Sequence, residues 1–278
     1  MKRFIKKILK KILNQKKTFE GDLLEFVSLV ENSENFAYSR YSDGELFILQ
    51  NQKLVLAENH SFFKGSQHFG RYPKEEQKEF IPEDHSFYRQ KLIESFQFKK
   101  ENYFKGITCP CCGGDEAVQF MIDMHGGEDD SLTWSNIFCN SNYKLFVEKM
   151  MPALSKKKIV LVCNEIADIS DTPFNIVKDF RIGSNCLIND YELVEEVRQW
   201  IEDNEIKNHV FLFSASTLSN YLAHQLYDFE DQNTYIDIGS TINPFLKMEG
   251  WKYSRDYLIQ YWLKRETQFG EMTCTWYK

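Results

Sequence analysis

The stretch HVFLFSASTLSNYLAHQLYDF, residues 209–229, decides the fold class. Val210 to Phe213 is a short apolar run without alternation, the pattern of a strand buried on both faces of a parallel sheet. Ser214, Ser216 and Thr217 make a polar turn, and the apolar residues after them recur at helical spacing. A strand that runs straight into a helix is the building unit of an α/β sheet. The unit recurs on either side. KKKIVLVCNE (156–165) is a second apolar, β-branched run, and TYIDIGS (234–240) is a third. Between them YELVEEVRQWIED (191–203) places Leu193, Val194, Val197, Trp200 and Ile201 on one helical face, with Asn189 and Glu192 as a capping box.

The first half repeats the theme. LLEFVSLVE (23–31) has helical periodicity and a capping box at Asp22 and Glu25. NFAYSRY (35–41) is a strand and ELFILQN (45–51) the helix after it. FFKGSQHFGRYP (62–73) has the composition of a loop, and SFYRQKLIESFQF (86–98) that of a helix. With no internal repeat and no low-complexity linker, residues 18–278 are expected to form one Rossmann-like α/β domain. Its sheet should be mostly parallel, with helices on both faces.

Ligands of open α/β sheets bind beyond the carboxyl ends of the strands. Asp43 and Glu45 follow the first strand, Asn164 and Glu165 follow IVLVC, Ser214 and Ser216 follow VFLF, and Gly239 and Ser240 follow YIDI. Parallel strands would gather all four groups on one rim, with carboxylates for a metal and a helix N-terminus for phosphate. Asp43, Gly44 and Glu45 also read as a surface turn, because Asp-Gly is a turn signal. Arg40 suits a bidentate phosphate contact or a structural pairing with Asp43. Glu165 stands where a base or nucleophile would act. Asp237 reads equally as a buried hydrogen-bonding group or a site residue. Ser214, Ser216 and Thr217 suit phosphate binding or plain helix capping.

The chain of 278 residues has a net charge of −7, with its basic charge concentrated at one end. MKRFIKKILKKILNQKK (1–17) holds eight Lys and Arg and no acid, and an acidic remainder argues against nucleic acid as the partner. On a helical wheel Phe4, Ile5, Ile8, Leu9, Ile12 and Leu13 face away from the lysines. Such a helix, too short to span a bilayer, is suited to an anionic membrane surface. An odd count of seven cysteines argues against a disulfide framework and fits a reducing compartment. CPCC (109–112) lacks a second ligand pair elsewhere and reads as thiols at a strand-to-helix turn. The six histidines show no ligand spacing; His125 in DMHGGEDD reads as an acceptor-side residue.

YSRYSDGE (38–45) resembles the Arg-aromatic-x-Asp-Gly-Glu signature of the GT-D class of bacterial glycosyltransferases. FLFSASTLSNYLAHQL and NTYIDIGS resemble the later segments of that family, and NYFKGITCPCC and WSNIFCNSNYKLF are similar to relatives in surface-polysaccharide synthesis. The resemblance covers roughly residues 34 to 247 in patches. It implies a Rossmann-like fold, a nucleotide-sugar donor and a divalent cation, Mn²⁺ or Mg²⁺, held by Asp43 and Glu45. Arg40, Gly44, Ser214, Ser216, Thr217, Asp237 and Ser240 would line the donor site. Ser240 departs from the histidine often found after Ile-Asp-Ile-Gly.

The function expected is metal-dependent transfer of a hexose from a UDP-sugar to a surface-glycan or lipid-linked acceptor. The enzyme would be cytoplasmic and peripheral on the inner face of the cell membrane. The rival readings are a metal-dependent phosphoesterase, which the same two carboxylates would serve, and a non-catalytic, membrane-associated glycan-binding protein.

Overall fold

A computed structural model describes residues 19–58, 61–68, 72, 76–248 and 255–264. The basic segment 1–17 lies outside the described residues. In chain order the strands are β1 (Ala37–Arg40), β2 (Leu54–Leu56), β3 (Ser61–Phe63), β4 (Ser66–His68), β5 (Lys78–Phe80), β6 (Tyr103–Ile107), β7 (Leu132–Trp134), β8 (Lys158–Asn164), β9 (Asn175–Ile182), β10 (Val210–Phe213) and β11 (Thr234–Asp237). The main helices are α1 (Phe19–Glu31), α2 (Asp43–Leu49), α3 (Ser86–Gln97), α4 (Asp115–His125), α5 (143–154), α6 (Leu193–Asp203) and α7 (Leu218–Phe229). Seven strands form one sheet in the order β7-β6-β1-β11-β10-β8-β9. Every neighbouring pair in it is parallel.

The period of two along each strand divides the core between the two faces. Val160, Val162, Phe211, Phe213 and Tyr235 point to one side and pack with α2, α3, α4, α6 and α7. Ile159, Leu161, Val210, Leu212 and Ile236 point to the other and pack with α1, α5 and the segment around Leu258 and Trp262. The inner positions of these strands are apolar on both sides because both faces are covered. Removing each large side chain from water contributes roughly 1.5–3 kcal/mol. The expected α/β class, parallel sheet and helices on both faces are what the chain forms.

Three local expectations are corrected. Asp22 does not cap a helix: α1 already runs from Phe19, and the buried Asp22 carboxylate accepts a hydrogen bond from the Thr133 hydroxyl on β7. Asn189 does not cap α6: it ends a separate turn, Cys186–Asn189, and its amide donates to the Ser184 carbonyl at 2.8 Å. Residues 62–73 are not simply a loop. β3 and β4 pair across a turn at Lys64 and Gly65, and with β2 and β5 they make a second, antiparallel sheet in the order β4-β3-β2-β5. Both turn residues have positive φ, 53° and 71°, as a tight hairpin requires.

The chain leaves β1 and β11 on opposite faces. α2 buries Leu46, Ile48 and Leu49 with the first cluster, whereas 239–245 buries Ile242 with the second. The two connections part above adjacent strands, which opens a crevice between their carboxyl ends.

Candidate functional site

The floor of the crevice is an arginine between two carboxylates. Arg40 ends β1, and its backbone N–H donates to Asp237 Oδ2, at the end of β11, at 3.0 Å. The Arg40 Nε is buried without a hydrogen-bond partner among the described residues. Gly239 has φ 53°, and a Cβ there would overlap the Arg40 guanidinium, so the position needs glycine on two counts. Burial pushes the Asp237 carboxyl up to about 7, opposed by Arg40 and reinforced by Glu45.

Ser42 to Glu45 form the first turn of α2. The run S-D-G-E is also the S-x-x-E of a capping box, and here it closes as one. Glu45 Oε2 accepts from the Ser42 N–H at 3.1 Å and the Ser42 hydroxyl at 3.0 Å. Glu45 Oε1 accepts from the Thr217 hydroxyl at 2.6 Å. Burial pushes this carboxyl up, but Lys78, Thr217, Arg40 and Ser42 outweigh it and hold it below the usual range. Asp43, two residues earlier, is exposed to the crevice, and among the described residues its Oδ1 accepts only the short-range Gly44 N–H at 3.0 Å.

Lys78 reaches this turn from the antiparallel sheet. Its ammonium lies close over Gly44, 2.8 Å from where a Cβ would stand, and donates to Ser216 Oγ at 3.3 Å. Ser216 holds φ 47° between β10 and α7, which presents its hydroxyl to the crevice. Ser214 Oγ approaches Asn243 Oδ1 at 3.5 Å, and Ser240 Oγ accepts from Arg255 Nε at 3.1 Å. Arg255 also pairs with Glu76 at 3.6 Å.

These groups surround a cavity of about 380 Å³. Arg40, Asp43, Gly44, Glu45, Ser214, Ser216, Asp237 and Ser240 all line it, together with Lys78, Glu76 and Arg255. Phe47, Leu54, Leu56, Phe63 and Phe80 also line it, so it offers an apolar wall as well as charged groups. Thr217 is buried behind the lining and acts through Glu45. Glu165 is not part of the lining. It is exposed, and its backbone continues the ladder to the Ile182 carbonyl at 2.9 Å, while Asn164 before it does face the cavity. His125 is also elsewhere, buried at the end of α4 with Nδ1 2.8 Å from the Gly127 carbonyl. Lys78, Glu76 and Arg255 carry no motif; β5 and the segment after β11 bring them in from distant sequence.

The donor set suits a hard cation in one respect. Asp43 offers a carboxylate facing the cavity, whereas both Glu45 oxygens already accept hydrogen bonds. Among the described residues, no three acidic or histidine groups draw together closely enough to hold an ion by themselves. The residues therefore fit a Mn²⁺ or Mg²⁺ that takes most of its shell from phosphate and water.

No protein-family model matches the chain, and neither does any curated protein. Solved structures do. One is described as "The highly conserved domain of unknown function 1792 has a distinct glycosyltransferase fold", with TM-score 0.50, 13% identity, and coverage of 82% of this chain and 83% of that one. Another is "A New Glycosyltransferase (DUF1792) from Streptococcus sanguinis", with TM-score 0.50 and 12% identity over 79% and 80% of the two chains. At such identities the likeness establishes a shared fold, the one the Asp-Gly-Glu resemblance implied.

Proposed function

We propose that this chain is a glycosyltransferase that moves a sugar from a nucleotide-sugar donor, a UDP-sugar, to a surface-glycan or lipid-linked acceptor. The observation that carries the reading is the crevice itself. Three cationic side chains, Arg40, Lys78 and Arg255, and three serine hydroxyls, Ser214, Ser216 and Ser240, line one cavity together with the exposed Asp43 carboxylate. That is the complement of a diphosphate with an accompanying cation. The description of the structural neighbours as glycosyltransferases supports the same reading.

In this scheme Arg40, held in place by Asp237 and Gly239, and Lys78, held over Gly44, bind the diphosphate oxygens. The hydroxyls of Ser214 and Ser216 donate to the same group. Asp43 holds Mn²⁺ or Mg²⁺, which when bound neutralises charge on the departing nucleoside diphosphate. The apolar wall offers a flat surface to a sugar ring or base, and excludes water that would hydrolyse the donor. The segment 1–17 brings the protein to the anionic inner leaflet, where lipid-linked acceptors lie.

The test is a donor screen with Mn²⁺ that measures released nucleoside diphosphate with and without acceptor. Acceptor-dependent release from a UDP-sugar is expected. Release of inorganic phosphate from simple phosphoesters would instead identify a phosphoesterase, and absence of nucleotide binding by calorimetry would identify a scaffold. Removing residues 1–17 should abolish co-sedimentation with anionic liposomes; unchanged co-sedimentation would refute the membrane assignment.

A further inference from the structure

At the carboxyl end of β6, next to the strand that ends in Arg40, three of four consecutive residues are cysteines. Residues Pro110–Gly113 form one tight helical turn on Cys109. The Cys109 carbonyl accepts the N–H groups of Cys112 at 3.0 Å and Gly113 at 2.9 Å. This winding folds the three side chains toward one another, and their sulfurs all lie within 4.8 Å of one another. Cys109 and Cys111 are closest, Sγ to Sγ 2.8 Å. Cys109 is buried, and Cys111 and Cys112 are exposed.

The other described cysteines behave differently. Burial pushes the thiols of Cys139 and Cys163 up to about 11, and that of Cys186 up to about 12. Each is a neutral packing group within the core. Packing does not explain why Cys111 and Cys112 are exposed and stand beside a third thiol.

We infer that Cys109, Cys111 and Cys112 form a thiolate site for one Zn²⁺ ion, separate from the crevice cation. Sulfurs bound to zinc at about 2.3 Å stand about 3.8 Å apart in a tetrahedron. The Cys109–Cys111 pair reaches that spacing by opening roughly 1 Å, and Cys112 already lies within 4.8 Å of both. Binding replaces three S–H bonds with three Zn–S bonds and releases three protons to solvent. The exposed side leaves the fourth position to water or an exchangeable ligand. Thiolates select a borderline-soft ion here, as the hard oxygen groups of the crevice select Mg²⁺ or Mn²⁺. An ion at this turn ties the end of β6 to the start of α4, where Gly114, with φ 83°, joins the two. The inference does not depend on the proposed transfer reaction.

Titration of the reduced full-length chain with Co²⁺, then Zn²⁺, tests it. One equivalent of Co²⁺ should give a thiolate charge-transfer band that Zn²⁺ displaces. Cys111→Ser and Cys112→Ser should each weaken Zn²⁺ binding by more than the roughly 10–100-fold that loss of an outer partner costs. Circular dichroism of both exposed-site variants should remain that of the parent. Absence of the band, or a band undiminished in the double variant, overturns the proposal, as does displacement of Co²⁺ by Mg²⁺ as readily as by Zn²⁺.

Discussion

The outer face and the underside of the first turn of α2 carry the same chemical group in opposite situations. Asp43 opens to the crevice and bonds its neighbour's N–H, whereas Glu45 is buried under three hydrogen bonds. The cause is helix geometry. Residues two apart are turned about 200° from each other around the axis, so the two side chains leave a regular turn in nearly opposite directions. In this turn one carboxylate is left exposed and the other is tied into the fold. Asp43 is the exposed member, and Glu45 fixes the turn that presents it.

The largest effect expected from this division is on turnover. Asp43→Asn keeps the bond to the Gly44 N–H and should leave stability within about 0.5 kcal/mol. It removes the charge a hard cation needs, so metal-dependent turnover should fall about 100-fold or more, on the order of 2.7 kcal/mol. Glu45→Gln should show the reverse emphasis. Its amide cannot accept from Ser42 and Thr217 together and loses its attraction to Lys78, destabilising the chain by about 1–3 kcal/mol. Denaturant unfolding and steady-state kinetics on both variants decide. A stable Glu45→Gln with no Mn²⁺ dependence would make Glu45 a ligand and end the distinction.

The ambiguity explains how far the sequence could be read. S-D-G-E satisfies both a D-x-E metal pattern and an S-x-x-E cap, and only the course of the chain shows that Glu45 serves the second. β8, β10 and β11 were legible because strands covered on both faces need unbroken apolar runs. β6 was not, since Lys105 and Gly106 interrupt it, and β9 was not, since at the sheet's edge it alternates charge with apolar residues. The hairpin of β3 and β4 hid behind its glycine and polar residues. Strand-end residues such as Arg40 and Asp237 were findable by position. Lys78 and Arg255 were not, because their place depends on how the inserted sheet and the segment after β11 fold over the rim.

A smaller effect concerns the floor beneath both carboxylates. Burial raises the Asp237 carboxyl from 3.8 to about 7, so the folded chain holds this proton where the unfolded chain has released it. Stability from this source is complete below about pH 4 and is lost as pH rises through about 7. Asp237→Asn retains an acceptor for the Arg40 N–H and removes the titration. Relative to the parent, it should gain about 2 kcal/mol between about pH 5 and pH 8, roughly half of what the full shift converts to. Unfolding free energies measured across that range check it. A parent and variant with parallel pH curves would mean that Arg40 keeps Asp237 ionised throughout.

The smallest effect tests what joins the two faces of the turn. Lys78 lies over Gly44, bonds Ser216, and is the leading influence that holds the Glu45 carboxyl low. Its ammonium therefore serves the buried carboxylate and the open crevice together. Lys78→Gln retains a donor for Ser216 but removes the charge. Donor affinity should fall about 10-fold, about 1.4 kcal/mol, with the Mn²⁺ dependence intact because Asp43 is untouched. Ser216→Ala removes the hydroxyl and leaves the ammonium, so its loss should be smaller. Calorimetry with UDP and Mn²⁺ separates the two variants. If Lys78→Gln binds UDP as tightly as the parent while Ser216→Ala does not, the hydroxyl is the phosphate ligand and Lys78 belongs to the buried side alone.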